Sequence, residues 1–179
     1  MTLKTLAHRI TETIRDVPDF PKPGIVFKDI TPILASPELF REVSEELCNL
    51  LKPYDPTCIA GIEARGFIFG APVAEKLSLP FVPIRKPGKL PWITKQMSYT
   101  LEYGEATIEM HEDAIASFED RVVLIDDLLA TGGTCQAALK LIRELGGNPV
   151  CSAFLVELGF LEGRKVIESE APVISLVRL

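Results

Sequence analysis

The stretch VVLIDDLLATGGT, residues 122–134, decides how the rest of the chain is read. A branched apolar segment runs into two adjacent acids, Asp126 and Asp127, and then into a loop of small residues and threonines. Paired carboxylates at the end of a buried strand repel each other and lose hydration, so they need compensation. Turn chemistry accounts for one Asp and one Gly at such a place. It does not account for two acids followed by Thr-Gly-Gly-Thr. Ala130, Thr131, Gly132, Gly133 and Thr134 can offer converging backbone amides and two hydroxyls, ahead of the positive end of a predicted helix. That is a cradle for phosphate. It has neither the lysine of a Walker loop nor GxGxxG spacing. Carboxylates beside it suit the vicinal hydroxyls of a sugar, so the stretch describes a site for a ribose 5-phosphate.

The flanking sequence places this loop in a fold. TCIAGI, PFVPI, RVVLI, VCSAFLVEL and PVISLV are short apolar runs without polar alternation, as expected for strands covered on both faces. Helical spacing lies between them at residues 67–77 and at residues 135–145, the latter closed by Gly146 and Gly147. YTLEYGEATIEMH alternates around a glycine and predicts an antiparallel hairpin or flap. The order predicts an α/β domain with a doubly wound, mainly parallel sheet, in which ligands sit beyond the carboxyl ends of the strands. Upstream, Leu3, Leu6, Ala7, Ile10, Ile14 and Val17 predict a helix capped by Thr2 and ended by Pro18. A Pro-rich extended stretch follows. A second helix is predicted with Ser36 as cap, Pro37 in its first turn, and Leu39, Val43, Leu47 and Leu50 on one face.

Composition bounds the chemistry. A chain of 179 residues suits one domain, read here as residues 1–179. Its net charge of -6 argues against general attraction to nucleic acid or anionic membrane, so an anionic ligand needs a local basic cluster or backbone amides. No apolar stretch is long enough for a span and the N-terminal stretch has no signal core, which makes cytoplasmic residence the expectation. Cys48, Cys58, Cys135 and Cys151 lack metal-site spacing and read as buried reduced thiols. His8 and His111 show no ligand-like spacing either and read as structural or surface residues.

The acid pair and its loop resemble the 5-phosphoribosyl diphosphate loop of the type I phosphoribosyltransferases, and nearly the whole chain resembles the adenine-specific branch of that family. The resemblance implies transfer of a phosphoribosyl group to adenine, giving AMP and diphosphate, with Mg²⁺ carried mainly by the substrate rather than by direct protein ligands. DFPKPGIVFKDITPIL resembles the base-recognition segment, within an N-terminal region of residues 1–34. There Val26 and Lys28 would offer backbone groups to the base while Phe27 stacks on it. The family often has Arg where Lys28 stands, a harmless change if only backbone reads the base.

GIEARGFIFGAPVA resembles the diphosphate loop, with Glu63, Ala64, Arg65 and Gly66 around the leaving group and Arg65 binding two oxygens at once. PIRKPGKLPW adds Arg85, Lys86 and Lys89. In the family the residue matching Arg85 reaches the partner subunit's site, which implies a homodimer. SYTLEYG resembles the mobile flap, here residues 86–111, with Glu102 as the candidate for proton handling and Tyr103 beside it. LVELGFLEGR resembles the segment that lays a leucine, here Leu158, against the other face of adenine. Two further readings keep the same cup: a transferase for an oxopurine, and a non-catalytic sensor of the diphosphate donor.

Overall fold

Five of the apolar runs pair into one parallel sheet, and their order fixes where a ligand can sit. The computed structural model of the chain describes residues 4–101, 104–116 and 119–179. It falls into two compact units, Met1–Glu46 and Leu47–Leu179.

The first unit opens with α1 (Leu6–Thr13). Thr2 and Leu3 lie outside the described residues; the observed cap is Thr5, whose hydroxyl accepts the His8 amide at 3.3 Å. The helix stops earlier than its apolar spacing predicts, and Val17 belongs to β1 (Arg15–Pro18). β1 pairs antiparallel with β2 (Val26–Asp29), Asp16 opposite Lys28 and Val17 opposite Phe27. The Pro-rich stretch read as merely extended is therefore a two-stranded ribbon. Four-residue strands are too short for their alternation to stand out, which is why the pairing was not legible. α2 (Thr31–Leu34) is one turn with Pro32 near its start. α3 (Pro37–Leu51) begins as expected, with Ser36 Oγ accepting the Leu39 amide at 3.3 Å. Leu39, Val43 and Leu47 are buried, and Leu51 rather than half-buried Leu50 completes the face.

The second unit is built on β3 (Cys58–Ile62), α4 (Arg65–Leu77), β4 (Phe81–Ile84), β5 (Thr94–Leu101), β6 (Gly104–His111), β7 (Arg121–Leu129), α5 (Gly133–Glu144), β8 (Asn148–Glu157), α6 (Gly163–Ile167) and β9 (Val173–Arg178). The main sheet has the order β4-β3-β7-β8-β9, with every neighbouring pair parallel. β5 and β6 form the separate antiparallel hairpin, in register from Thr94–His111 to Leu101–Gly104. Because β3 is followed by β4 on one side and flanked by β7 on the other, the winding reverses between β3 and β7. Right-handed crossovers then put α4 and α5 on opposite faces.

Side chains divide accordingly. Cys58, Ala60, Ile62, Val122 and Leu124 join Ile108 and Met110 of the hairpin and Ala138 and Leu141 of α5 in one apolar cluster. On the other face the Phe81 ring lies against Gly61 of β3 and Gly70 of α4. All four cysteines are buried thiols outside any disulfide, and burial pushes the Cys58 thiol up to about 11 and those of Cys135 and Cys151 up to about 12. No helix among the described residues is long and apolar enough to cross a membrane.

Candidate active site

The reversal between β3 and β7 is where an open parallel sheet gathers ligand-binding groups. α4 starts at Arg65 directly after β3, without a side-chain cap on Ala64. A Cβ on Gly66 would lie 2.6 Å from the Ile125 carbonyl oxygen, so only glycine lets the start of α4 rest on β7. This contact carries Arg65 to the acid pair. Arg65 Nε lies 2.9 Å from Asp127 Oδ2. Oδ2 is buried, and beside this ion pair no hydrogen bond reaches it among the described residues.

The two acids are inside β7 rather than beyond its end, because the strand continues to Leu129. Successive strand residues face opposite ways, which separates their surroundings. Asp127 is buried against Arg65, whereas Asp126 lines both cavities of the site. Asp126 Oδ1 accepts the Asp127 amide at 2.9 Å. Burial, then the neighbouring Asp127 charge, raises Asp126 well above the ordinary Asp range. Burial also raises Asp127, opposed by Arg65. Both carboxyls are thus harder to ionise than an exposed aspartate, and a cation or a hydroxyl donor beside them would offset that cost.

The loop after the acid pair leads straight into α5. Gly132, with φ +86°, is the N-cap of α5 and has no side chain with which to cap the helix start. The first amides of such a helix have no intrahelical partner and point outward. With Ala130, Thr131, Gly133 and Thr134 they line a cup of about 90 Å³, floored by Phe154 and edged by Asp126. A Cβ on Gly132 would meet the Gly163 carbonyl at 2.7 Å, so the start of α6 backs the loop closely.

Beside the cup lies a cavity of about 410 Å³, lined among others by Glu63, Arg85, Lys86, Tyr99, Asp126 and Thr134. Glu63 faces Arg85. Its carboxylate accepts from Arg85 Nε at 2.9 Å and from the Lys86 amide at 3.2 Å. Burial alone would raise it, but Arg85 and Lys86 outweigh that and hold it below the usual carboxylate range. The carboxylate is thereby committed to Arg85 and the Lys86 amide. Arg85 also donates to the Lys89 carbonyl at 3.0 Å and stands over the Phe67 ring. Lys86 lines the cavity; Lys89 is exposed and outside its lining.

Three buried or half-buried groups escaped the sequence reading. Glu109 is buried in β6 and accepts the Lys89 and Leu90 amides at 3.0 and 3.1 Å and the Thr94 hydroxyl and Gln96 amide at 3.2 Å. It thereby shapes, from the hairpin, the basic strap of residues 85–93. Glu157, buried at the end of β8, accepts from Arg164 and Ser175 and fixes the turn that follows Leu158. Tyr99 on β5 shares a 3.0 Å hydrogen bond with Thr134 of the cup. A glutamate or tyrosine within a predicted strand carries no sign of the partners that folding brings to it.

Leu158 is half-buried, its amide bonded at 2.9 Å to the Leu129 carbonyl just ahead of the cup. Val26, Phe27 and Lys28 belong to the first unit, on β2. Phe27 meets Phe20 edge to face at 5.2 Å, and Lys28 Nζ is engaged by Asp16 at 2.6 Å across the ribbon. A two-stranded ribbon leaves each strand one outer edge, and Val26 and Lys28, two residues apart, present their backbone groups on the same side. Glu102 and Tyr103 lie outside the described residues.

Residues 28–176 match the phosphoribosyl transferase domain family. Over 177 residues the chain is 51% identical to adenine phosphoribosyltransferase of a Synechococcus species, covering 99% of this chain and 98% of that one. The crystal structure of adenine phosphoribosyltransferase from Thermoanaerobacter pseudethanolicus superposes with a TM-score of 0.94 at 49% identity, over 98% of this chain and 100% of that one. APRTase from Giardia lamblia complexed with 9-deazaadenine superposes at 0.92 with 36% identity, over 99% of both chains. With acid pair, cup and arginine meeting at the sheet reversal and likeness running the length of the chain, it belongs to the phosphoribosyl transferase family and, within it, to the adenine phosphoribosyltransferases.

Proposed function

We propose that this chain transfers the phosphoribosyl group of 5-phosphoribosyl diphosphate to N9 of adenine, releasing AMP and diphosphate in purine salvage. The supporting observation is the meeting of the small cup, the acid pair and Arg65 at one point between β3 and β7. The C1–oxygen bond to diphosphate breaks as the N9–C1 bond forms, and the N9 proton leaves the base. Ala130, Thr131, Gly132, Gly133 and Thr134 hold the 5-phosphate through amides and hydroxyls. Asp126 accepts from the ribose hydroxyls, and Asp127 steadies Arg65 and the positive charge that develops on the sugar. Arg65, with the amides of Ala64 and Gly66, takes the leaving diphosphate, helped by Arg85, Lys86 and Lys89. Glu63 orients Arg85. Val26 and Lys28 read the adenine edge by backbone while Phe27 and Leu158 cover its faces. Glu102 handles the base proton. Positioning and charge stabilisation in a shielded site supply most of the rate.

Among the described residues no group of three His, Cys, Asp or Glu could cage a metal. Two adjacent carboxylates, with Asp126 lining both cavities, do suit Mg²⁺ held chiefly by substrate oxygens. When bound there, the ion neutralises diphosphate charge. The working form is proposed as a cytoplasmic homodimer in which Arg85 serves the partner's site; the exposed Trp92 and Ile93 on the same strap favour such a contact.

Turnover with Mg²⁺ and 5-phosphoribosyl diphosphate, offering adenine, hypoxanthine, guanine and xanthine separately, tests the reading. AMP formed from adenine alone supports it. Activity on an oxopurine alone would overturn the base assignment while leaving the cup, and donor binding without turnover would leave a sensor.

A further inference from the structure

Tyr99 is a residue of the hairpin, 35 positions from Thr134 in sequence, yet the two hydroxyls lie 3.0 Å apart. Its place is built. Met97 and Tyr99 pack against the apolar cluster that includes α5, and Lys95 pairs with Glu144 at the far end of α5 at 3.3 Å. The phenol lies at the boundary of the two cavities, because Thr134 and Asp126 line both and Tyr99 lines the larger.

We infer that Tyr99 is a positioning residue for the 5-phosphate, donating its hydroxyl proton to Thr134 Oγ1 so that the Thr134 proton points into the cup. This rests on the cup's reading as the phosphate site. The reason is hydrogen-bond arithmetic. A threonine hydroxyl has one proton and two lone pairs. A phosphate accepts and does not donate at its charged oxygens, so Thr134 contributes only if its single proton is turned towards the ligand. A phenol donates more readily than an aliphatic alcohol, so the pair settles with Tyr99 as donor and Thr134 as acceptor once the phosphate competes for the threonine proton. Each bond in such a chain polarises the next. Because the phenol sits on β5, hairpin position and phosphate hold become coupled through one hydrogen bond.

The test uses the full chain and calorimetric titration with ribose 5-phosphate, with inorganic diphosphate as a control ligand. Tyr99→Phe keeps the ring and its packing and removes only the hydroxyl. It is expected to weaken ribose 5-phosphate binding about three- to tenfold, the scale of one hydrogen bond, and leave diphosphate binding within about twofold. Thr134→Val should weaken ribose 5-phosphate binding at least as much, and adding Tyr99→Phe to it should cost nothing further. Equal weakening for both ligands would mark a merely structural residue and overturn the inference. Unchanged ribose 5-phosphate binding in Tyr99→Phe, with a loss in Thr134→Val, would overturn the inference alone. Unchanged binding in Thr134→Val would overturn the reading of the cup and the inference with it.

Discussion

Arg65, the first residue of α4, stands 2.9 Å from Asp127 of β7 and so ties together the two strand ends between which the sheet reverses. This ion pair joins the leaving-group side of the proposed site to its sugar side. The arginine is partly hydrated and the aspartate is buried, so removal of either partner has unequal effects. Taking away the arginine leaves a buried carboxylate without this cation; taking away the carboxylate leaves a cation that water can still reach.

Arg65→Ala is expected to slow turnover at least tenfold, about 1.4 kcal/mol of transition-state stabilisation. It should also cost about 1–2 kcal/mol of stability, less than a fully buried pair because the guanidinium is partly solvated. Arg65→Lys should recover part of the stability and little of the rate, since an ammonium cannot bind two diphosphate oxygens side by side. Steady-state kinetics and urea unfolding check both. Full activity in the alanine variant would remove Arg65 from the diphosphate site.

Asp126→Asn should make the ligand-free protein more stable at neutral pH while impairing turnover. Burial and Asp127 raise the Asp126 carboxyl above its ordinary range in the folded state. A carboxyl raised on folding loses stability as pH climbs from the ordinary Asp value through the raised one, and the amide is spared that loss. The gain is about 1 kcal/mol, or 2–4 °C in Tm for a chain of this size, at pH 7.5. It should vanish near pH 4, where the wild-type acid is neutral too. Thermal melts across pH decide it; a gain that persists unchanged into acid would trace to packing instead.

Glu157→Gln should behave in the opposite sense. Hydrogen bonding from Arg164 holds the Glu157 carboxyl below its usual range, against the effect of burial. Stability from a lowered carboxyl is present above its unfolded value and is lost as pH falls through the folded one. The variant should be less stable by about 2 kcal/mol at pH 7, with the difference closing towards pH 3. Because Arg164 follows the turn after Leu158, the KM for adenine should rise more than that for the diphosphate donor. Equal stability at pH 7 would show that the network contributes nothing net.

The two kinds of information met at different places. The five strands, α4, α5 and the cup were legible because each is local: branched apolar runs, helical spacing, and a Thr-Gly-Gly-Thr loop needing a left-handed glycine at Gly132. The ribbon of β1 and β2 was not, because its strands are too short to show a period, and the first helix was misplaced because its apolar spacing continued past its real end at Thr13.

By itself, then, the sequence determined the set of elements and the chemistry each loop can offer, since residue type and short-range spacing decide both. Tertiary structure alone decided that β3 and β7 lie side by side, that Asp126 opens to the cavities while Asp127 turns to Arg65, and that Glu63 is spent on Arg85. It also brought Tyr99 to Thr134, Glu109 to the basic strap and Arg164 to Glu157. Apart from the Glu157–Arg164 pair, each of these partners lies many residues away along the chain, and which side of a strand or turn a side chain takes depends on the packing of whole elements. Local spacing carries no record of that packing.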